Sequence, residues 1–452
     1  MSLTAITAAL WLAVEPAASR VDVSGGAAVE LRGGRAPVTP LADPEWSMLS
    51  IITPEVAMET ATRRGTTLRI NYAPRVQQRL PNVLDIRRPL LLHQNELALL
   101  RTLTPRWNLG LNLASRVGET DYNSSPAVLD DDTGAGNAAA PDVDVLQIVV
   151  ASGVLSATGR LTRRHTLELR AAGSYRGTIG DTGTITTTTV DENGDETTEE
   201  REALPDQTNV TVTADLVTRV TPADRVGVAL EPGYFQFGER GGGDDFTSVT
   251  ARTTWDRAIH ASLNTSLTLG VFGALADGGD TRIIPTGLAE VTGVMRQRAN
   301  HRVSGTVGAG VTPYFDRVTS TLNPRATATA NLSLALPPRW TVRGLVALVT
   351  NATAEPIPTT NDVPFTETAV RLVVPATYEI NDEQQFEFGL IMAARAPHLA
   401  SNALEFNQLE SWLYVAYRIG VGTARGGREV GGGGGPVTRR SGSRGNSGGS
   451  AR

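Results

Sequence analysis

The chain has 452 residues, 40 % of them apolar, and a formal net charge of −6. That charge is too small for this length to make a nucleic-acid surface. The absence of cysteine excludes disulfides, thiol nucleophiles and thiolate metal sites. All 41 basic residues are arginine, which reads as coding bias rather than chemistry.

The first apolar stretch, Leu3 to Val14, is too short for a spanning helix. With Pro16-Ala17-Ala18-Ser19 behind it, the stretch resembles the apolar core and small-residue cleavage site of a secretory signal. It lacks the preceding basic residue of that pattern. Residues 1–19 are therefore expected to be an export signal, with a buried N-terminal segment as the other reading.

From residue 20 onward the dominant pattern is alternation. Leu68, Ile70 and Tyr72 oppose Arg69 and Asn71; Leu109, Leu111 and Leu113 oppose Asn108, Gly110 and Asn112. Farther on, Leu167, Leu169 and Ala171 oppose Glu168 and Arg170, and Val210, Val212, Ala214 and Leu216 oppose Thr211, Thr213 and Asp215. The same holds for Val226 to Glu231, for Arg325 to Leu334 and for Phe386 to Ala393. Successive side chains of a strand point to opposite faces, so each run has an oily face and a wet face.

Short turns and long polar connections alternate between these runs. The expected turns are Arg63-Arg64-Gly65, Thr104-Pro105-Arg106, Thr162-Arg163-Arg164, Thr221 to Asp224, Asn264-Thr265-Ser266, Arg298-Ala299-Asn300, Pro337-Pro338-Arg339 and Asn381-Asp382-Glu383. The expected long connections are Val76 to Arg87, Asp121 to Asp142, Gly180 to Gln207, Glu239 to Asp245, Ala276 to Thr281, Phe315 to Leu322 and Asn351 to Pro364. Short turns at one end and long loops at the other are the signature of a transmembrane barrel. Eight turns join sixteen strands. An opening strand, Val21 to Arg32, and a closing one, Leu404 to Ile419, bring the count to about eighteen, with sixteen as the alternative. The expected fold is all-β: a closed, antiparallel, up-and-down transmembrane β-barrel over residues 20–419.

A ring of about eighteen strands is too wide for side chains to fill, so an apolar interior would leave a dry void. Turning the oily faces outward to lipid and the polar faces toward water removes that cost, and closure leaves no backbone group unpaired in lipid. Trp107 and Trp340 follow short turns on the apolar face, and Tyr175 and Tyr234 lie on it about ten residues beyond theirs. Ten tilted residues climb roughly 26 Å, near the ~25 Å band between aromatic girdles. A soluble all-β protein would instead pack its Leu and Val faces inside.

By parity Arg69, Arg116, Glu168, Arg170, Asp215, Arg219, Glu231, Arg325, Arg343, Glu387 and Arg395 face the lumen and are the candidate pore-lining residues. Rings of basic side chains favour anions. The same Arg and acids pairing across neighbouring strands to brace the wall is the competing reading.

The closing strand, Trp412-Leu413-Tyr414-Val415-Ala416-Tyr417-Arg418-Ile419, alternates apolar residues with a late aromatic. With the hairpin pattern before it, the chain resembles bacterial outer-membrane β-barrel proteins of the porin-like type, at the level of architecture. The resemblance implies a place in the outer membrane and insertion by the outer-membrane assembly machinery. It also implies a passive diffusion channel for small polar solutes, mildly anion-selective if the inward arginines dominate. The alternative function is a structural or surface-display barrel whose Gly180 to Gln207 loop meets an external partner. The closing strand departs from the insertion signal in ending on Ile419 and in carrying a tail. That tail, residues 420–452, is Gly, Ser and Arg with a Gly431 to Gly435 run and is expected to be disordered.

No other chemistry is well supported. Asp191, Asn193, Asp195 and Glu202 fall at calcium-loop spacing, but Glu196 stands where that loop needs glycine, and Thr184 to Val190 reads as β. His93, His165, His260, His301 and His398 are scattered without ligand spacing. His398 and Ser401 alone make a weak hydrolase pattern. The expectation is no enzyme, cofactor, metal or nucleic acid.

Overall fold

The computed structural model describes residues 18–37, 44–62, 65–80, 88–121, 145–179, 184–190, 196–202, 206–238, 245–279, 281–297, 301–316, 321–336, 338–351, 367–397 and 408–421. The expected export signal (but for its last residues), most of the C-terminal tail, Asp191 to Asp195, His398 and Ser401 lie outside them.

The strands are β1 Ala18–Pro37, β2 Pro44–Thr62, β3 Thr66–Tyr72, β4 Arg75–Leu80, β5 Leu90–Thr104, β6 Trp107–Asp121 and β7 Val145–Arg160. There follow β8 His165–Thr178, β9 Thr184–Val190, β10 Glu196–Glu202, β11 Gln207–Arg219, β12 Asp224–Phe237, β13 Phe246–His260 and β14 Leu263–Ala276. The last are β15 Thr281–Gln297, β16 His301–Asp316, β17 Thr321–Leu336, β18 Trp340–Asn351, β19 Glu367–Glu379, β20 Gln384–Pro397 and β21 Gln408–Val421.

All strands but β9 and β10 form one antiparallel sheet, and β1 pairs with both β2 and β21, which closes it. β3 and β4 share one position between β2 and β5, so the barrel has 18 staves, as expected. The break between them is Ala73-Pro74, where proline has no N–H for the ladder. Pairing resumes at Arg75, so the first part of the expected Val76 to Arg87 connection is strand instead. β9 and β10 form a separate hairpin within the Gly180 to Gln207 connection. Residues 196–202 are extended in that ladder rather than curled around a cation.

One expected turn is displaced. The chain reverses at Ala261-Ser262, while Asn264, Thr265 and Ser266 already pair with β13. Asn264 and Ser266 are turn-favouring residues standing on the wet face of β14. The reversal is held by His260, whose Nδ1 bonds Ser262 Oγ at 3.0 Å. Other short turns are built from local polar bonds: Thr221 Oγ1 accepts from the Asp224 amide at 2.9 Å and donates to its carboxylate at 2.6 Å. Thr104 and Thr162 hydroxyls accept backbone amides in the same way. The strands also run farther than read: β1 continues through Gly33-Gly34 to Pro37, and β16 and β17 extend to Asp316 and from Thr321.

The oily faces look outward. Val212 is 50 % exposed, Leu332 55 % and Leu413 68 %, and residues directly opposed across each ladder share their face. Water does not tolerate such a continuous apolar coat on a monomer; a lipid core does, and the closed ladder leaves no backbone edge in it. Aromatic side chains mark both rims of this coat. At the short-turn end Trp340 packs against Tyr378 and Phe388, with ring centres 4.8 and 5.9 Å away. Trp255, which the alternation pattern did not single out, donates its indole N–H to Asp224 at 3.3 Å. At the long-loop end the Tyr175 and Tyr234 hydroxyls donate to Asp206 and Asp245, each at 2.8 Å. Each phenol keeps its ring in the coat and its hydroxyl at the polar boundary.

Candidate functional site

The inner wall of the barrel is the candidate site, and register decides what it presents. Arg69 opposes Glu59 on one side and Ala98 on the other; Arg116 opposes Gln94 and Val150. Glu168 stands directly opposite Asp215, and Arg170 opposite Thr213. Asp215, Arg219 and Glu231 take the inward positions of β11 and β12, and Arg219 sits at the short-turn rim, bonded to the Pro222 carbonyl at 3.3 Å. Arg325 opposes Thr312, Arg343 opposes Ser333, and Glu387 opposes Thr377. The backbone of Arg395 has inward parity opposite Ala369; its side chain is outside the described residues.

These side chains fall into distinct groups rather than one ring. On β8 and β11–β15 acids are spread among arginines. Glu231 accepts from the Thr213 hydroxyl at 2.7 Å and lies 3.5 Å from Arg252. Glu290 accepts from Thr292 at 3.3 Å, and Thr292 bonds Thr306 at 3.2 Å across the ladder. On β16–β19 the balance changes. Among the described side chains there, the inward positions carry Arg302, Arg325, Arg343 and Arg371, with Glu379 at the short-turn rim as the acid. Arg325 stacks on the ring of Tyr314, its guanidinium carbon 3.4 Å from the ring centre, which holds the guanidinium in place on the wall.

A third group brackets the seam where the barrel closes. Glu387 accepts from the Tyr414 hydroxyl at 3.0 Å and from Thr377 at 3.3 Å, and lies 3.8 Å from Arg418. Arg32 pairs with Glu30 on the same strand. Gly389 makes room for the Tyr414 ring: a Cβ there would stand 2.7 Å from the ring. Tyr414→Phe is expected to cost about 1–2 kcal/mol of barrel stability, because the bond lost is to a charged, half-buried acceptor. Equilibrium unfolding in detergent reads this; an unchanged midpoint would show the bond to be solvent-exchanged.

Sequence parity missed part of this wall. Arg371 was passed over because Ala369, Val370, Leu372, Val373 and Val374 make both faces of β19 apolar. The inner face is also less polar than expected. Phe237, Phe246, Phe272, Ala274, Ala276, Ile284 and Leu322 form one buried cluster in its long-loop half. Leu49, Ile51, Ile391, Trp412 and Tyr414 form another. Pairing Phe272 with Ile284 and Leu49 with Arg32 puts those members on the wall that also carries the charges. The described residues hold no group of His, Asp or Glu arranged for a metal ion.

No protein-family model matches the chain, and no curated protein matches its sequence. Several solved structures are similar to it. OccAB4 of Acinetobacter baumannii is 11 % identical, with 90 % of this chain and 100 % of that one covered and a TM-score of 0.42. The outer membrane protein opdK of Pseudomonas aeruginosa is 9 % identical, covering 89 % and 99 %, with a TM-score of 0.40. The FrpB iron transporter of Neisseria meningitidis is 9 % identical, covering 87 % and 69 %, with a TM-score of 0.48.

Proposed function

We propose that the chain is a passive diffusion channel of the bacterial outer membrane, passing small polar solutes with a mild preference for anions. The observation that carries this reading is the segregation of side chains by face. An apolar coat outside and charged, hydroxyl-bearing rows inside suit a water-filled passage through lipid. The anion preference rests on the β16–β19 arc, where Arg325 and Arg343 stand with Arg302 and Arg371. Glu168, Asp215 and Glu231 on β8, β11 and β12 temper it.

Purified barrel in a planar bilayer is expected to give discrete, ohmic conductance steps. A sealed bilayer would overturn the channel reading. In a salt gradient the reversal potential is expected on the anion side, and Arg343→Gln with Arg371→Gln is expected to move it toward zero. Cation selectivity in the unmodified protein would remove the anion preference while leaving the channel intact.

A further inference from the structure

Among the described residues, one sector of the outer coat carries a cluster of polar side chains inside the aromatic rims: the face shared by β3, β5 and β6. Tyr72, Asn95 and Ser115 stand opposite one another along a single ladder row, and His93 is the next outward position above Asn95. The Tyr72 hydroxyl bonds His93 Nδ1 at 2.8 Å with the two rings stacked. Asn95 Nδ2 donates to Ser115 Oγ at 3.4 Å. Asn95 is exposed, and its side-chain oxygen has no hydrogen-bond partner among the described residues.

Register gives the depth of this row. The row through Tyr175 reaches β12 at Gln236, two residues beyond Tyr234. The row through Trp107 reaches β8 at Leu167, two residues beyond His165, where that strand leaves its turn. Rows therefore climb by about one residue per stave toward higher strand number, as strand tilt in a closed barrel requires. Followed the other way from Tyr175, the row passes Ala151 and then meets Ser115, Asn95 and Tyr72. At ~2.6 Å per tilted residue these lie roughly 5, 8 and 10 Å below the long-loop aromatic rim. At such depths neighbouring staves turn Gly173 and Ala171, Pro232 and Leu230, or Val249 and Ala251 to the outside.

An amide that faces hydrocarbon with an unmet acceptor is costly. Acyl chains supply no donor and ester carbonyls only accept, so lipid leaves the Asn95 oxygen unmet. A second copy of the same amide meets it: each oxygen accepts the other's N–H, and each free N–H returns the bond. A two-fold axis along the membrane normal keeps both amides at equal depth and makes the contact isologous. Below Asn95 and Ser115, the outward Leu97, Leu99, Leu111 and Leu113 supply an apolar surround for that contact.

We infer that the outer face of β3, β5 and β6 is the contact between two copies of this chain, paired within the membrane through Asn95. Each barrel keeps its own bore, so the pairing stands or falls independently of conduction.

The chain has no cysteine, so single introduced thiols report contacts cleanly. In lipid vesicles Leu97→Cys, next to Asn95 on the outer face of β5, is expected to give a dimer with a short bis-maleimide. Leu269→Cys, on the outer face of β14, is expected to stay monomeric. Energy transfer between labelled barrels, followed as lipid dilutes them, is expected to show dimers whose dissociation constant rises about tenfold in Asn95→Leu. Asn95→Gln keeps the amide and should retain most of the pairing. Leucine suits a lipid-facing position, so the Asn95→Leu barrel itself is expected to assemble. Monomers at every dilution, with or without a retained lipid, would overturn the inference. So would equal cross-linking of the two cysteines, or dimers indifferent to Asn95→Leu.

Discussion

Leu269→Arg is expected to cost about 2–4 kcal/mol of folding stability in a bilayer, whereas Thr268→Arg, one residue away, costs less than about 1 kcal/mol. Leu269 lies in the middle of β14, is 59 % exposed on the outer face and stands opposite Thr253 and Gly287. A guanidinium there would sit in hydrocarbon at mid-depth. Thr268 points inward, its hydroxyl 3.0 Å from that of Thr254. An arginine at that position loses one neutral hydrogen bond and gains access to the polar interior. Denaturant titration of both variants in lipid vesicles gives the two values. Equal costs, or a larger cost for Thr268→Arg, would invert the assignment of faces on which the transmembrane reading depends.

The second large effect is expected at the seam. Gly34→Ala should destabilise the barrel by about 3 kcal/mol or more, because the added carbon meets backbone rather than a movable side chain. The nearest atoms are the Ser411 carbonyl and the Trp412 Cα. Relief requires β1 to part from β21 along the ladder that joins Gly25–Arg35 to Ser411–Val421. The adjacent Gly33 faces outward and has nothing within 4 Å of an added Cβ. Gly33→Ala should therefore be neutral within about 0.5 kcal/mol, or slightly stabilising through the unfolded chain. Unfolding midpoints of the pair, measured side by side, decide it. Matching values would mean that the seam relaxes freely at Gly34.

Much of the barrel was legible because a strand's side-chain period of two survives without tertiary information. Leu109 to Leu113, Val210 to Leu216 and Ala326 to Leu334 each state which residues share a face, and the outward exposure of Val212 and Leu332 follows that statement. The turn at Ala261-Ser262 was not legible. Asn264 and Ser266 belong to the turn-forming residue types, and only pairing with Ala258 and Asp256 reveals them as wet-face residues of a strand. The inward place of Arg371 was hidden for the opposite reason. Val373 is apolar and inward because it packs on the Leu49, Ile391 and Trp412 cluster, so β19 loses the contrast between its faces.

The sequence by itself determined the class of fold, the side of each alternating strand and the even strand count, all of which depend on neighbours along the chain. What only the tertiary structure decided is which inward charges meet. Glu231 finds Arg252, Glu387 finds Arg418, and Gly34 sets Ser47 and Trp412 on its two flanks. Those meetings depend on the stagger between neighbouring staves, and a period of two carries no record of stagger.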